Sequence, residues 1–266
     1  MLILKYTFPI YFVFCFSLNA CSLTKPNNFG TGGFIINDFE VDKTGNYYLI
    51  STSGEIRKYS VDQQLLYTFK DFSNGEIASV DVTNPHKILV FYKDFQSITI
   101  LDNTLSAIHH IIQDETKYIT ASGSSNDGNI WIYNAISNRI LKISYEGKLL
   151  EELAPLPIPY PQNISDSKIY DRENKLFIFD KTTGIIILDN LGNFEKVIPD
   201  IFLTKPEFSK NIIYYYHKGS NSINSVDLLL YQVQLIRNLE DIDPALAMVR
   251  NGKLYMIVNN EMVISE

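Results

Sequence analysis

The chain has 266 residues, with 23 Lys and Arg against 30 Asp and Glu for a formal net charge of −7. That length builds one substantial core or two small ones, and the acidic balance excludes nonspecific nucleic-acid binding, which needs a basic footprint. Only Cys15 and Cys21 occur, so nothing suggests a disulfide framework. Tyr (17) and Phe (16) are abundant against a single Trp, and Ile is frequent, which is strand-forming chemistry.

In chain order, the first element is an export signal. Lys5 precedes an apolar run from Tyr6 to Leu18, and small Ala20 precedes Cys21. The run is too short to span a bilayer, which takes roughly 20 residues. Leu18-Asn19-Ala20-Cys21 resembles the lipobox of bacterial lipoproteins, with Asn19 departing from its commonest form. The resemblance implies a diacylated Cys21 as the new N-terminus, an outer-membrane anchor and a chain facing the periplasm. Ser22 follows in place of Asp, and Thr24 to Asn28 reads as a polar tether without an acidic run. Residues 1–20 are thus assigned to the signal, 21–31 to the tether and 32–266 to one domain. Processing would remove Cys15 and lipidate Cys21, leaving no free thiol.

Beyond residue 30 helical patterns are nearly absent. Apolar runs of four to seven residues alternate with Gly, Asn, Asp and Ser, which are strand and turn signals. Runs starting at Tyr47, Ile88, Ile130, Leu176, Ile212 and Leu254 lie 36 to 46 residues apart. Ile98 to Leu105 parallels Ile185 to Gly192 at an offset of 87 residues, about two periods, and in both Asp-Asn closes a strand. A four-stranded unit repeated at this period predicts an all-β fold, a β-propeller. The boundaries are about 37–73, 76–113, 118–156, 164–200, 203–239 and 244–266. Six four-stranded blades follow, the short last one closed by an N-terminal strand at Gly32 to Ile36. A seven-bladed ring and a β-sandwich are the alternatives.

No linear catalytic signature survives inspection. The Gly-x-Ser-x-Gly elbow, the His-Glu-x-x-His zinc helix and the phosphate loop are all missing from the sequence. His109 and His110, the only adjacent pair among His86, His109, His110 and His217, would point to opposite faces of a strand. Asp38, Asp81 and Asp114 fall near unit ends, where a channel opens; they suit turn caps better than calcium. No cofactor or metal is expected. Trp131 reads as inter-blade packing. Tyr214, Tyr215 and Tyr216, and the alternating prolines at Pro155, Pro157, Pro159 and Pro161 beside Tyr160, are candidates for an interaction surface. Asn163-Ile164-Ser165 matches a glycosylation acceptor that means little in a bacterial cell.

Ser79 to Phe95, reading SVDVTNPHKILVFYKDF, and Leu101 to Ser106, reading LDNTLS, resemble a family of uncharacterised β-propeller lipoproteins of Bacteroidota. The likeness is strong over 76–106 and diffuse elsewhere. It offers no catalytic residues to carry over. It implies a cell-envelope role, such as an accessory protein of outer-membrane secretion or assembly machinery. The expectation is therefore a non-enzymatic interaction scaffold, with envelope or outer-membrane proteins as partners and the membrane reached through Cys21. The alternative is a propeller that binds a small ligand, or hydrolyses one, in its central channel.

Overall fold

The computed structural model of the protein describes residues 33–71, 73–112, 117–157, 167–180, 183–189, 191–199, 203–239 and 241–265. The signal, Cys21, Asp114, Pro159, Tyr160 and Asn163 lie outside them. Among the described residues no helix is long and apolar enough to cross a membrane.

The chain is a succession of up-and-down strands. The first unit comprises β1 (Ile36–Val41), β2 (Tyr47–Ser51), β3 (Glu55–Tyr59) and β4 (Leu65–Lys70). The second comprises β5 (Ile77–Asp81), β6 (Ile88–Tyr92), β7 (Ser97–Leu101) and β8 (Ala107–Ile112). Then come β9 (Ile119–Ser124), β10 (Ile130–Asn134), β11 (Arg139–Ile143) and β12 (Leu149–Glu152). They are followed by β13 (Ser167–Arg172), β14 (Lys175–Asp180), β15 (Gly184–Leu188) and β16 (Phe194–Ile198). The chain continues through β17 (Leu203–Ser209), β18 (Ile212–His217), β19 (Ser222–Asp227) and β20 (Gln232–Asn238). It ends with β21 (Leu246–Arg250), β22 (Lys253–Val258) and β23 (Glu261–Ser265).

Why these runs form strands follows from their burial. In β2, β6, β10 and β15 every residue is buried. Such a strand is covered on both faces, so it reads as a continuous apolar run without alternation. The outer strands β4, β8, β12 and β20 are almost wholly exposed. Burial therefore falls from the middle of each unit to its rim.

The turn between third and fourth strands carries the repeat. Ser60 Oγ accepts from the backbone N–H of Asp62 and Gln64, both at 3.2 Å. Asp102 accepts from Thr104 at 2.8 Å and Ser106 at 2.9 Å. Ser144 does so from Glu146 and Lys148, and Asp189 from Leu191 and Asn193. A short side-chain oxygen binding the backbone two and four residues on is what makes Ser and Asp turn formers. Three residues after each of these, Gln63, Leu105, Gly147 and Gly192 all have positive φ. The Ile98 and Ile185 segments are thus the same hairpin in two units.

The sheets differ from the expected ring of six separate blades. Strands β1–β4, β5–β8 and β17–β20 form three four-stranded sheets, and β21–β23 a three-stranded one. Strands β9–β16 form a single eight-stranded sheet in the order β12-β11-β10-β9-β13-β14-β15-β16. The propeller expected as six blades, or alternatively seven, is corrected to four separate blades and one long curled sheet; a β-sandwich does not fit either. The join is a parallel pairing of β9 with β13, Ser167 opposite Ala121 and Lys168 opposite Ser122. Its cause is local: β9 reads Ile-Thr-Ala-Ser-Gly-Ser, and a Cβ on Gly123 would lie 1.8 Å from the Ile169 carbonyl oxygen. Small residues let two backbones approach to hydrogen-bonding distance where other units keep side chains between them.

Closure also differs. Among the described residues no N-terminal strand completes the last sheet; β1 begins at Ile36 and pairs with β2. The first and last sheets meet instead through side chains. Phe39, Tyr47, Leu49 and Tyr59 pack against Met248, Tyr255, Ile257 and Met262. Asn260 adds two hydrogen bonds, accepting from Ile36 N at 2.7 Å and donating to Phe34 O at 3.1 Å. Five further apolar clusters join the remaining neighbours, one of them between the two halves of the long sheet. Trp131 belongs to that last cluster and is 5% exposed, as expected of a packing residue, and its indole N–H donates to Asp171 Oδ2 at 3.0 Å.

Candidate functional site in the central channel

First strands of the units line the centre, and two of them, β1 and β13, carry charge at alternate positions. In a strand, residues two apart share a face. Thus Asp38 and Glu40 on β1 point inward together, as do Lys168, Tyr170 and Arg172 on β13. A break in the β17 register between Thr204 and Glu207 contains Lys205 and Pro206. Lys205 has φ of 52°, a left-handed conformation unusual for lysine, and is 9% exposed. A bulge of this kind re-aims a side chain; here it turns Lys205 into the channel.

Asp38, Glu40, Lys168 and Lys205 form a quartet in which Glu40 and Lys205 are buried and Asp38 and Lys168 half-buried. Lys205 Nζ contacts Phe39 O at 2.6 Å, Glu40 Oε1 at 2.8 Å and Asp38 Oδ1 at 2.5 Å. Lys168 Nζ also binds Glu40 Oε1 and donates to Val80 O at 3.1 Å. It lies 4.0 Å from Asp38 Oδ2. Two carboxylates and two ammonium groups cancel. Burial pushes the Glu40 carboxyl up, but Lys168 and Lys205 outweigh it and hold the group at about 2. Burial lowers Lys168, yet Glu40 more than reverses this and keeps it above the ordinary lysine range, so it stays an ammonium ion. Burial raises Tyr170, so its hydroxyl keeps its proton.

The quartet sits where the channel divides. On one side is a chamber of about 360 Å³ lined by Asn37, Asp38, Ser79, Ser167, Lys168, Thr204 and Lys205, with Tyr170 and Phe179 on its wall. On the other is a space of about 20 Å³ among Asp81, Thr83, Ser122, Arg172 and Arg250. Lys168, Tyr170, Val80 and Pro206 border both. In the smaller space Arg172 donates to Thr83 Oγ1 at 2.8 Å and Arg250 pairs with Glu207.

Of the residues singled out from sequence, Asp38 lies in the quartet. Asp81 follows the expectation of a cap, accepting from Thr83 N at 2.8 Å and Ser124 N at 2.6 Å. Tyr215 and Tyr216 are buried at 1% exposure and Tyr214 is half-buried, so this strand does not present them outward; Pro157 is exposed. His109 and His110 are exposed on the outer strand β8, His86 is exposed in the turn between β5 and β6, and His217 accepts from Ser220 N at 3.0 Å; none borders either chamber. Sequence reasoning missed Glu40, Lys168, Lys205, Arg172 and Arg250. Their signal is a charge at every second position of a first strand, Asp38-x-Glu40 and Lys168-x-Tyr170-x-Arg172, where a two-sided strand would be apolar throughout.

No family model matches the sequence, and no curated protein does. Solved structures share the fold. An inactive histidine-to-alanine variant of virginiamycin B lyase from Staphylococcus aureus, bound to quinupristin, superposes with a TM-score of 0.61 over 91% of this chain and 97% of its own, at 11% identity. A protein of unknown function from Bacteroides caccae gives 0.55 over 79% and 82%, at 15% identity. The Pan2 WD40 domain of Neurospora crassa gives 0.59 over 85% and 73%, at 13% identity. The chain has a β-propeller-type fold, and these likenesses reach no further than fold.

They nonetheless correct one expectation. The non-enzymatic scaffold rested on a family resemblance that offers no catalytic residues, with which the absence of linear catalytic motifs agreed. Solved structures of this fold include a lyase, so the fold does not itself exclude an enzyme, and here charged side chains from separate strands converge on a cavity. The expected non-enzymatic scaffold is corrected to that extent, in favour of the channel-using alternative.

Proposed function

We propose that the protein is a small-molecule enzyme that binds its substrate in the larger chamber and acts on it by proton transfer at the quartet. One observation carries the reading: Asp38 Oδ2 and the Lys168 ammonium face each other 4.0 Å apart at the floor of a roughly 360 Å³ cavity. Cavities of that size hold small ligands. Asp38 is the more accessible carboxylate, its side chain 26% exposed against 9% for Glu40. It takes the proton; Lys168, fixed by Glu40, stabilises the negative charge that develops, while Lys205 holds Asp38 and Glu40 in place. This is the step common to elimination and hydrolysis. Histidine chemistry is not part of the proposal, since no histidine borders the chamber. Quinupristin, the ligand of the superposed lyase, is accordingly expected to survive incubation with this protein.

Asp38→Asn tests the role of the carboxylate. Turnover of a panel of simple lactones and β-eliminable hydroxy esters should fall about 100-fold or more, the usual contribution of a positioned base. Asn37→Trp, at an exposed position on the chamber wall, should block turnover by filling the entrance. Turnover indifferent to both variants would sink the proposal.

The same proposal places the site in the cell envelope. It rests on the signal at residues 1–20 and the lipobox at Cys21, which together put a lipid anchor on the outer membrane facing the periplasm, in a lipoprotein of the Bacteroidota type. Cys21→Ala should move the protein from the membrane pellet to the soluble fraction. A variant that still sediments with membranes would rule the anchor out.

A further inference from the structure

We infer that the chamber takes a neutral, polyhydroxylated ligand of the carbohydrate class. The inference rests on the larger chamber being a ligand site, as proposed above, and adds what fills it.

The first argument is charge. Asp38, Glu40, Lys168 and Lys205 neutralise one another, and Glu76 at the entrance is paired with Lys93. A carboxylate or ammonium ligand would bring an uncompensated charge against a floor already balanced, and would lose hydration for it. The second is donor and acceptor geometry. Lys205 spends its three N–H groups on Phe39 O, Glu40 Oε1 and Asp38 Oδ1. Lys168 spends two, on Glu40 Oε1 and Val80 O, and keeps a third beside Asp38 Oδ2 at 4.0 Å. A hydroxyl set between them would accept from Lys168 and donate to Asp38 at ordinary hydrogen-bond lengths. A carboxylate in the same gap would repel Asp38, and an ammonium would repel Lys168.

The third argument is the wall. Neutral hydrogen-bonding side chains, Asn37, Ser79, Ser167 and Thr204, surround the floor. Ser167 and Thr204 donate away from the chamber, to Asp180 Oδ2 and Tyr216 O, which leaves their oxygens as acceptors for ligand hydroxyls. Tyr170 and Phe179, edge to face at 5.1 Å, add an aromatic flank suited to the C–H faces of a sugar ring.

The experiment is ligand-observed NMR on the folded wild-type chain. Probes are neutral glucose, galactose, mannose and their disaccharides, set against glucuronate and glucosamine, with a general fragment library run in parallel. At least one neutral sugar should bind ten-fold or more tightly than both charged analogues. Asn37→Trp should abolish that binding, and Asp38→Ala should weaken it ten-fold or more. Because Asp38→Ala removes a partner of Lys205, Asn37→Trp, on the exposed rim, is the variant that decides if the former fails to fold. Equal or tighter binding of glucuronate or glucosamine overturns the inference. So do fragments that occupy the chamber while no neutral sugar does, an outcome that leaves the site reading intact. If nothing in either set loses binding in Asn37→Trp, the site reading falls as well.

Discussion

Replacing Gly123 by valine should lower the stability of the protein by about 3 kcal/mol, the upper end of the usual cost of overpacking. Gly123 lies on β9 with β10 on one side and β13 on the other, opposite Trp131 in the antiparallel register. A Cβ there would fall 1.8 Å from Ile169 O and 2.7 Å from Ile169 C. Both atoms are backbone, so no rotamer change relieves the clash; β13 itself must move. The parallel ladder it would break holds only two residue pairs. One of them seats Lys168, so the substitution should also pull that ammonium from Glu40. At about 2–4 °C per kcal/mol for a domain of this size, thermal unfolding should fall by roughly 6–12 °C. Gly252→Ala is the control. Its φ of 76° disfavours alanine, but nothing lies within 4 Å of the added carbon. That change should cost only about 1–2 kcal/mol. Equal melting temperatures for the two variants would refute the account of the joined sheet.

The second large effect concerns acid. Glu40 titrates near its ordinary 4.5 in the unfolded chain and at about 2 in the folded one. Above pH 4.5 both states are ionised and the full stabilisation is present. Below it the unfolded chain takes up the proton first, and the contribution is lost as pH falls towards 2. A difference of this size corresponds to something on the order of 3 kcal/mol. Other carboxylates with lowered values, among them Asp71 and Glu55, add to acid sensitivity, so the diagnostic is a difference between proteins. Urea unfolding of wild type and Glu40→Gln, compared at pH 6, 4 and 3, should show the wild type losing its advantage as pH drops. Parallel curves would mean that the quartet does not hold Glu40 ionised. Lys205→Met should be worse than Glu40→Gln at pH 7. It leaves Asp38 and Glu40 to share Lys168, and a buried charge without its partner costs about 3–5 kcal/mol.

How much of this was readable in advance varies with the range of the interaction. Local features read well. Ile88 to Phe91 and Ile130 to Tyr133 are uninterrupted apolar runs because strands covered on both faces need no polar side, and Asp102 and Asp189 close equivalent turns. Features decided by contact between distant segments did not read. The sequence Thr120-Ala121-Ser122-Gly123 resembles a weak strand in isolation. Only the approach of Ile169 explains why its residues are small, and that approach merges what looks like two blades. Glu40 and Lys205 lie 165 positions apart, and neither belongs to a motif. Tyr214-Tyr215-Tyr216 misled in the opposite direction. Alternation sends neighbouring residues to opposite faces, which suggests exposure, but a neighbouring sheet covers each face of β18 and buries Tyr215 and Tyr216.

The seam between the first and last sheets sets an order on assembly. Nearly all pairings join strands adjacent in sequence, so each hairpin needs only a short loop to form. The seam is different: Asn260 reaches Ile36 across 224 positions. Closing so long a loop gains nothing until the intervening sheets are in place, although its entropic cost grows only slowly with length. Asp38 and Glu40 sit on the first sheet, at the seam, while Lys168 and Lys205 come from β13 and β17. Until the seam closes the carboxylates and the lysines are carried on separate sheets, and the quartet is completed as the ring closes.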